Sequence, residues 1–246
     1  MADVAPDSVG ASSFGAAAEA YDAYRPAYPD AVVDWLLPGA PRTVLDLGAG
    51  TGKLTDSLVA RGLDVIAIEP DASMLALLRS RHPEVCAMQG AAEQIDLLDA
   101  SVDTVVIGQA WHWMDADRAS AEIARVLRPG GTLAAAWNEE DPSRASWLPE
   151  FDSLDLAPRG RLVDARFPLS PFEPVEELRH TWTRSVRVAD YLGEQRSRSS
   201  WITATPAQRD ERIGHWNHLL ATHADLVGRG VLEIPYLTYA WRTRAV

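Results

Sequence analysis

Glycines in one turn, a carboxylate at the end of the next apolar run, and a histidine between two tryptophans are the residues placed to do chemistry. Val44-Leu45-Asp46-Leu47 is an apolar run that ends in Gly48-Ala49-Gly50-Thr51-Gly52-Lys53. Glycines there let the backbone bend sharply and approach a ligand more closely than side chains would permit. Thr51 to about Arg61 reads as a helix whose first N–H groups face the same spot. That arrangement cradles a nucleotide at the carboxyl edge of a parallel sheet. Asp64-Val-Ile-Ala-Ile-Glu69 reads as the next strand, and Glu69 stands roughly 20 positions past the turn, where a carboxylate accepts hydrogen bonds from both ribose hydroxyls. Pro70 and Asp71 follow; Asp71 caps the helix that runs through Arg81, which leaves Glu69 for a ligand. Met74, in the first turn of that helix, packs either on a nucleobase or into the core. His112 follows a later strand and has two readings, a proton acceptor from a bound substrate or a hydrogen-bonded structural group.

Glycine spacing separates the nucleotide classes. The dinucleotide pattern G-x-G-x-x-G needs a third glycine where Lys53 stands, and G-x-x-x-x-G-K-[ST] needs glycine at Leu47 and a hydroxyl at Leu54. What remains is D-x-G-x-G-x-G over Asp46–Gly52. This stretch resembles motif I of the class I S-adenosylmethionine-dependent methyltransferases. Leu127-Arg-Pro-Gly-Gly-x-Leu133 resembles a junction typical of the same family, and Tyr21-x-x-x-Arg25-Pro26-x-Tyr28-Pro29, Ser197-Arg198-Ser199-Ser200-Trp201 and Ile234-Pro235-Tyr236 are similar to the branch that includes trans-aconitate methyltransferase-like proteins. The match extends over most of the chain.

The resemblance implies S-adenosylmethionine as cofactor and S-adenosylhomocysteine as product. It implies that Tyr21 and Arg25 lie near the methionine end, with Arg25 a fork for its carboxylate; the bland reading is that the tyrosines pack a helix and Arg25 is solvated. It also implies that Ala91, Ala92 and Glu93, in the loop after the third strand, read the adenine. Gly48, Ala49, Gly50, Thr51, Gly52, Pro70 and Gln109 complete the expected cofactor contacts, and Asp46 and Glu69 are carboxylates suited to a cationic ligand. Trp111, Trp113, Trp137, Trp201 and Tyr236 are the expected acceptor-facing residues, Trp111 and Trp113 shaping either the pocket wall or the adjacent core.

Composition bounds the partners. The 246 residues carry a net charge of −12, which argues against wrapping a nucleic-acid backbone. No apolar run approaches the roughly 18 residues of a membrane span, and the first residues lack the basic segment of a secretory signal. The single cysteine, Cys86, excludes an intramolecular disulfide and fits a reducing, cytoplasmic setting. His215, His218 and His223 lack companion ligands at metal spacing, so no metal is expected. Arg179, Arg184, Arg187, Arg196 and Arg198 either meet an anionic substrate or form a solvated face.

These residues must be positioned by alternating elements. Residues 1–12 read as disordered and 13–40 as a helical cap, with a helix opening at Pro29-Asp30. The core, 41–140, alternates strand and helix: strands at Val85–Gln89, Thr104–Gly108 and Gly131–Asn138, a turn over Asp99–Asp103, and a helix over Asp115–Leu127. Strict alternation means a parallel sheet with crossovers. Residues 141–229 form a substrate-binding lid, irregular over Arg144–Pro174, with a strand at Val175–Val186 and helices at Ala189–Ser200 and Pro206–Gly228. Residues 230–246 form a last strand that Pro235 confines to an edge or bulge. The expected architecture is a single α/β domain of Rossmann-like class I methyltransferase fold, with a mostly parallel seven-stranded sheet, helices on both faces and a helical lid insert. The expected activity is methyl transfer from S-adenosylmethionine to O or N of a small molecule, by a monomer or homodimer. The alternatives are an NAD(P)-dependent oxidoreductase, against which Lys53 and the lack of a Tyr-x-x-x-Lys pair count, and a non-catalytic S-adenosylmethionine-binding protein.

Overall fold

A computed structural model describes residues 25–154 and 171–246. The expected disordered N-terminus and the helix before Pro26 lie outside the described residues. The elements in chain order are α1 (Asp30–Leu36), β1 (Thr43–Leu47), α2 (Lys53–Val59), β2 (Asp64–Glu69), α3 (Ala72–Arg81), β3 (Cys86–Gln89), β4 (Val102–Gly108), α4 (Ala116–Val126) and β5 (Leu127–Glu140). After these come α5 (Trp147–Phe151), β6 (Glu176–Arg187), α6 (Val188–Arg196), α7 (Ser199–Ile202), α8 (Pro206–Thr222) and β7 (Val231–Arg244).

The seven strands form one sheet in the order β3-β2-β1-β4-β5-β7-β6. The β1, β2, β3, β4 and β5 ladders are parallel, whereas β7 runs antiparallel to both β5 and β6. Side-chain alternation along each strand feeds two cores. Val44, Val106, Ala134 and Ala136 pack under α1 and α2, while Leu45, Val105, Ile107, Leu133 and Ala135 pack under α4. A central strand buried on both faces is apolar at most positions, which is why these strands read as near-continuous runs rather than alternating ones. The chain runs outward from β1 through β2 to β3 on one side, then crosses back to β4 on the other side of β1. A crevice opens at the carboxyl ends of strands at such a switch point.

Local chemistry sets the element ends. Asp71 caps α3 by accepting from the Ser73 and Met74 N–H groups, and Asp115 caps α4 by accepting from Asp117 and Arg118. Thr205 and Gln208 close a reciprocal capping box on α8.

Four expectations are corrected. β4 starts at Val102, within the expected turn and before Thr104, and β5 at Leu127, before Gly131, because Val102 and Leu127 pair with each other across the sheet. The segment after Arg144 contains α5, whose Trp147, Leu148 and Phe151 are buried. The helix from Pro206 ends at Thr222. Pro235 lies in an inner strand rather than at an edge. Its carbonyl accepts the Asp141 N–H at 2.8 Å. In an antiparallel strand a residue's nitrogen and carbonyl point the same way, so the missing N–H faces β5 where the register ends at Glu140↔Tyr236.

Residues between β6 and β7 form a separate apolar cluster with α5, built on Trp147, Phe151, Tyr191, Trp216 and Tyr236. Ion pairs seat it: Arg198 reaches Glu140 at 2.6 Å and Asp152 at 3.3 Å, and Arg184 reaches Glu194 at 2.7 Å. Arg187 pairs with Asp190, and the guanidinium groups of Arg179 and Arg196 lie over Tyr239 and Trp201. Arg184 and Arg198 are thus held within the fold, whereas Arg179, Arg187 and Arg196 are exposed, as a solvated face requires.

Candidate functional site

The turn after β1 is held by its glycines. Gly48, Gly50 and Gly52 have φ values of 72°, 59° and 94°, a region costly to side chains. The Gly48 and Ala49 N–H groups donate to the Ile68 carbonyl at 2.8 and 3.1 Å, which ties the turn to the end of β2. The Glu69 carboxylate is then clamped from two sides. Gly50 N–H donates to its Oε2 and Asp71 N–H to its Oε1, each at 2.8 Å. Burial pushes the Glu69 pKa up, and the two backbone hydrogen bonds oppose that rise.

A cavity of about 340 Å³ opens over this clamp. Gly48 and Gly50 form its floor, Glu69, Pro70 and Met74 one wall, and Ala91, Ala92 and Glu93 the next. Gln109, His112, Trp113 and Met114 close the β4 side, and Arg25 lies at the cap side. Arg25 also borders a smaller cleft of about 40 Å³, shared with Asp46, Ala49, Thr51 and Gln109. Gly52 lines neither; it stands at the N-cap of α2. Tyr21 lies outside the described residues.

Asp46 carries an unmet demand. Its Oδ2 accepts from the Thr55 hydroxyl at 2.6 Å, while Oδ1 is buried with no hydrogen-bond partner among the described residues. Burial pushes its pKa up to about 7, against the Thr55 hydrogen bond, and the Glu69 charge adds to the rise. A cationic ligand in the smaller cleft would complete this acceptor. Glu93 is partly engaged: its Oε1 accepts the Asp115 N–H at 2.8 Å, joining the β3 loop to the start of α4.

On the β4 side, Gln109 has φ 59° although it is not glycine. Its N–H donates to the Ala136 carbonyl at 2.9 Å and its amide to the Asn138 carbonyl at 3.0 Å, so neighbouring β5 enforces the strained turn. His112 accepts the Trp137 indole N–H at Nδ1, 3.3 Å away, and burial lowers its pKa. Trp113 is 47% exposed at the cavity mouth.

Four expected acceptor contacts are absent from the cavity wall. Trp111 is buried edge-on to Trp241, and Trp137 lies in the same core beside Tyr239. Trp201 stacks on Trp216, and Tyr236 stacks on Trp182. Each ring gains more by leaving water in a packed core than by facing a solvated cleft. Conversely, Gly108 and Met114 were not foreseen. A Cβ at Gly108 would stand 2.7 Å from the Tyr28 hydroxyl, so glycine there lets Tyr28 cross the strand end. Gly108 was visible as a strand terminus, whereas Met114 carried no signal. Among the described residues no group of three His, Cys, Asp or Glu could hold a metal ion. His215 instead approaches the Glu150 carbonyl at 2.6 Å, joining α8 to α5.

Residues 45–135, the span from β1 to β5 that builds this cavity, match the methyltransferase domain family. The methyltransferase Rv3342 of Mycobacterium tuberculosis is 45% identical over 94% of this chain and 94% of its own. The chain belongs to the methyltransferases. A type II methyltransferase candidate from Anaeromyxobacter dehalogenans shares the fold with a TM-score of 0.59, at 27% identity over 90% of this chain and 97% of that one. Phosphoethanolamine N-methyltransferase 2 of Haemonchus contortus, solved with S-adenosyl-L-methionine, matches in fold alone: TM-score 0.51, 14% identity, 94% of this chain and 57% of that one. This methyltransferase is thus an enzyme of the S-adenosylmethionine-dependent class I architecture, and the oxidoreductase alternative is set aside.

One consequence concerns Gly48. A Cβ there would stand 2.7 Å from the Ala110 Cβ, at a φ of 72°. Gly48→Ala in the methyltransferase is expected to cost about 2 kcal/mol of stability or more, from left-handed strain and the clash together. Chemical denaturation checks this. Gly62→Ala, also at φ 72° but with nothing within 4 Å, isolates the strain contribution.

Proposed function

We propose that this enzyme binds S-adenosylmethionine in the 340 Å³ cavity and the adjoining cleft, and transfers its methyl group to an oxygen or nitrogen of a small-molecule acceptor. The carrying observation is the Glu69 carboxylate, fixed by two backbone donors at the wall of the cavity. A group so oriented accepts from the two ribose hydroxyls without further loss of side-chain freedom. Met74, Pro70 and the Ala91–Glu93 loop are the adenine-facing residues in this reading. Asp46 takes the methionine ammonium, and Arg25 its carboxylate. When bound, the cofactor supplies a methyl group on cationic sulfur, which is already an activated electrophile. The protein's share is alignment of the acceptor and exclusion of water.

The acceptor side is the Gln109–Met114 segment, with Trp113 at the mouth. Trp147, Phe151, Tyr191 and Trp216 fill a separate core instead of facing the cavity. The net charge of −12 disfavours a nucleic-acid acceptor. No described helix is long and apolar enough to cross a membrane. The lone Cys86 supports a cytoplasmic setting.

Calorimetric titration with S-adenosylmethionine, S-adenosylhomocysteine and NAD tests the reading. Micromolar binding of both sulfur ligands, and none of NAD, is expected. Binding of NAD alone would overturn it. Sulfur-ligand binding without turnover across a broad screen of small-molecule acceptors would overturn the acceptor class.

A further inference from the structure

The reading of His112 as a proton acceptor meets an obstacle behind the ring. Trp137 donates its indole N–H to Nδ1 of His112 at 3.3 Å. An indole nitrogen is a donor only, so Nδ1 must present its lone pair and cannot carry a proton while this bond stands. A neutral imidazole has one N–H, which here falls on Nε2. Trp137 has little freedom to turn away, being wholly buried with Tyr239 stacked at 6.3 Å and Trp241 at the same distance. His112 itself borders the cavity, its ring 4.8 Å from that of Trp113.

The structure assigns His112 the neutral tautomer protonated at Nε2, locked by Trp137, so that toward the acceptor it is a hydrogen-bond donor and not a general base. This rests on the proposed placing of the acceptor beside Gln109–Met114. Trp137 is then a positioning residue acting through His112 rather than a wall of the pocket. Burial, which lowers the His112 pKa, reinforces the neutral form. The recognised feature of the acceptor is a lone pair offered to Nε2–H. Any proton the acceptor carries leaves to a group other than His112, because both ring nitrogens are committed.

The experiment is nitrogen NMR on unliganded protein labelled with ¹⁵N in histidine and tryptophan, at pH 8. His112 is assigned by the signals lost in His112→Leu. Expected are a protonated Nε2, an unprotonated Nδ1, and a measurable coupling through the hydrogen bond between Nδ1 and the Trp137 indole nitrogen. In Trp137→Phe the Nδ1 resonance should move downfield as its donor is lost. In His112→Leu, which alters only a cavity-wall residue, the Trp137 indole proton should move upfield. A proton on Nδ1, an imidazolium, or an indole signal indifferent to His112→Leu would overturn the assignment. These readouts need neither cofactor nor acceptor, so they fail or succeed independently of the S-adenosylmethionine reading.

Discussion

Replacing Glu69 with alanine is expected to weaken S-adenosylmethionine and S-adenosylhomocysteine alike by about 10²–10⁴-fold. Hydrogen bonds to a charged group contribute about 1.5–3 kcal/mol each, and this carboxylate would receive two from the ribose. The loss has a second component: the Gly50 and Asp71 N–H groups that now hold Glu69 at 2.8 Å would lose their acceptor. The glycine turn would loosen where it meets the ligand. Glu69→Gln keeps one side-chain oxygen and should lose less, about tenfold. Calorimetric affinities for the two variants distinguish this from general damage, because a merely structural Glu69 would weaken both ligands in proportion to lost stability. Wild-type affinity in Glu69→Ala would remove the ribose assignment.

Asp46 should dominate the pH dependence of the unliganded protein. Its folded pKa of about 7 lies above the ordinary value of 3.8, with burial the main cause. Between these values the native state binds a proton that the unfolded state has released. Stability contributed by this site is therefore greatest near pH 4 and declines as pH rises toward 7, by ~4 kcal/mol. Asp46→Asn retains an oxygen for the Thr55 hydroxyl but cannot ionise. The difference in unfolding free energy between variant and wild type should grow in favour of the variant from pH 4.5 to pH 8. Parallel curves would contradict the account. In the proposed cofactor placement an ammonium beside Oδ1 favours the carboxylate. Affinity of the wild type should rise with pH up to about 7, with proton release visible in buffers of different ionisation enthalpy. Asp46→Asn should bind weakly and lose that slope.

Much of the cofactor half was legible in the sequence because it is written in contiguous residues. The turn from Asp46 to Gly52 needs glycine at the three positions that adopt positive φ. Glu69 ends its strand, and Asp71 caps the next helix as its chemistry and spacing require. Strand and helix alternate from β1 to β3 and from β4 to β5, with no helix between β3 and β4, so the alternation is less strict than expected; the order still implies a parallel sheet with its crevice at the carboxyl ends.

The acceptor half was much less legible. Tryptophan is read as pocket wall or as core with equal ease from sequence, since either role uses the same ring. Only the packed sheet separates exposed Trp113 from Trp111 and Trp137. Pro235 reads as an edge residue by its missing donor, but it occupies an inner strand because β5 stops short beside it. Local signals therefore determined the family, the elements and the glycine–carboxylate cradle. The tertiary structure decided the burial that raises Asp46, the clamp on Glu69 and the Trp137–His112 bond. These last depend on contacts between residues 19 and 25 positions apart, and Thr238 meets Asn138 across 100. No periodicity or turn chemistry encodes such pairs; they exist only once the sheet has brought its strand ends together.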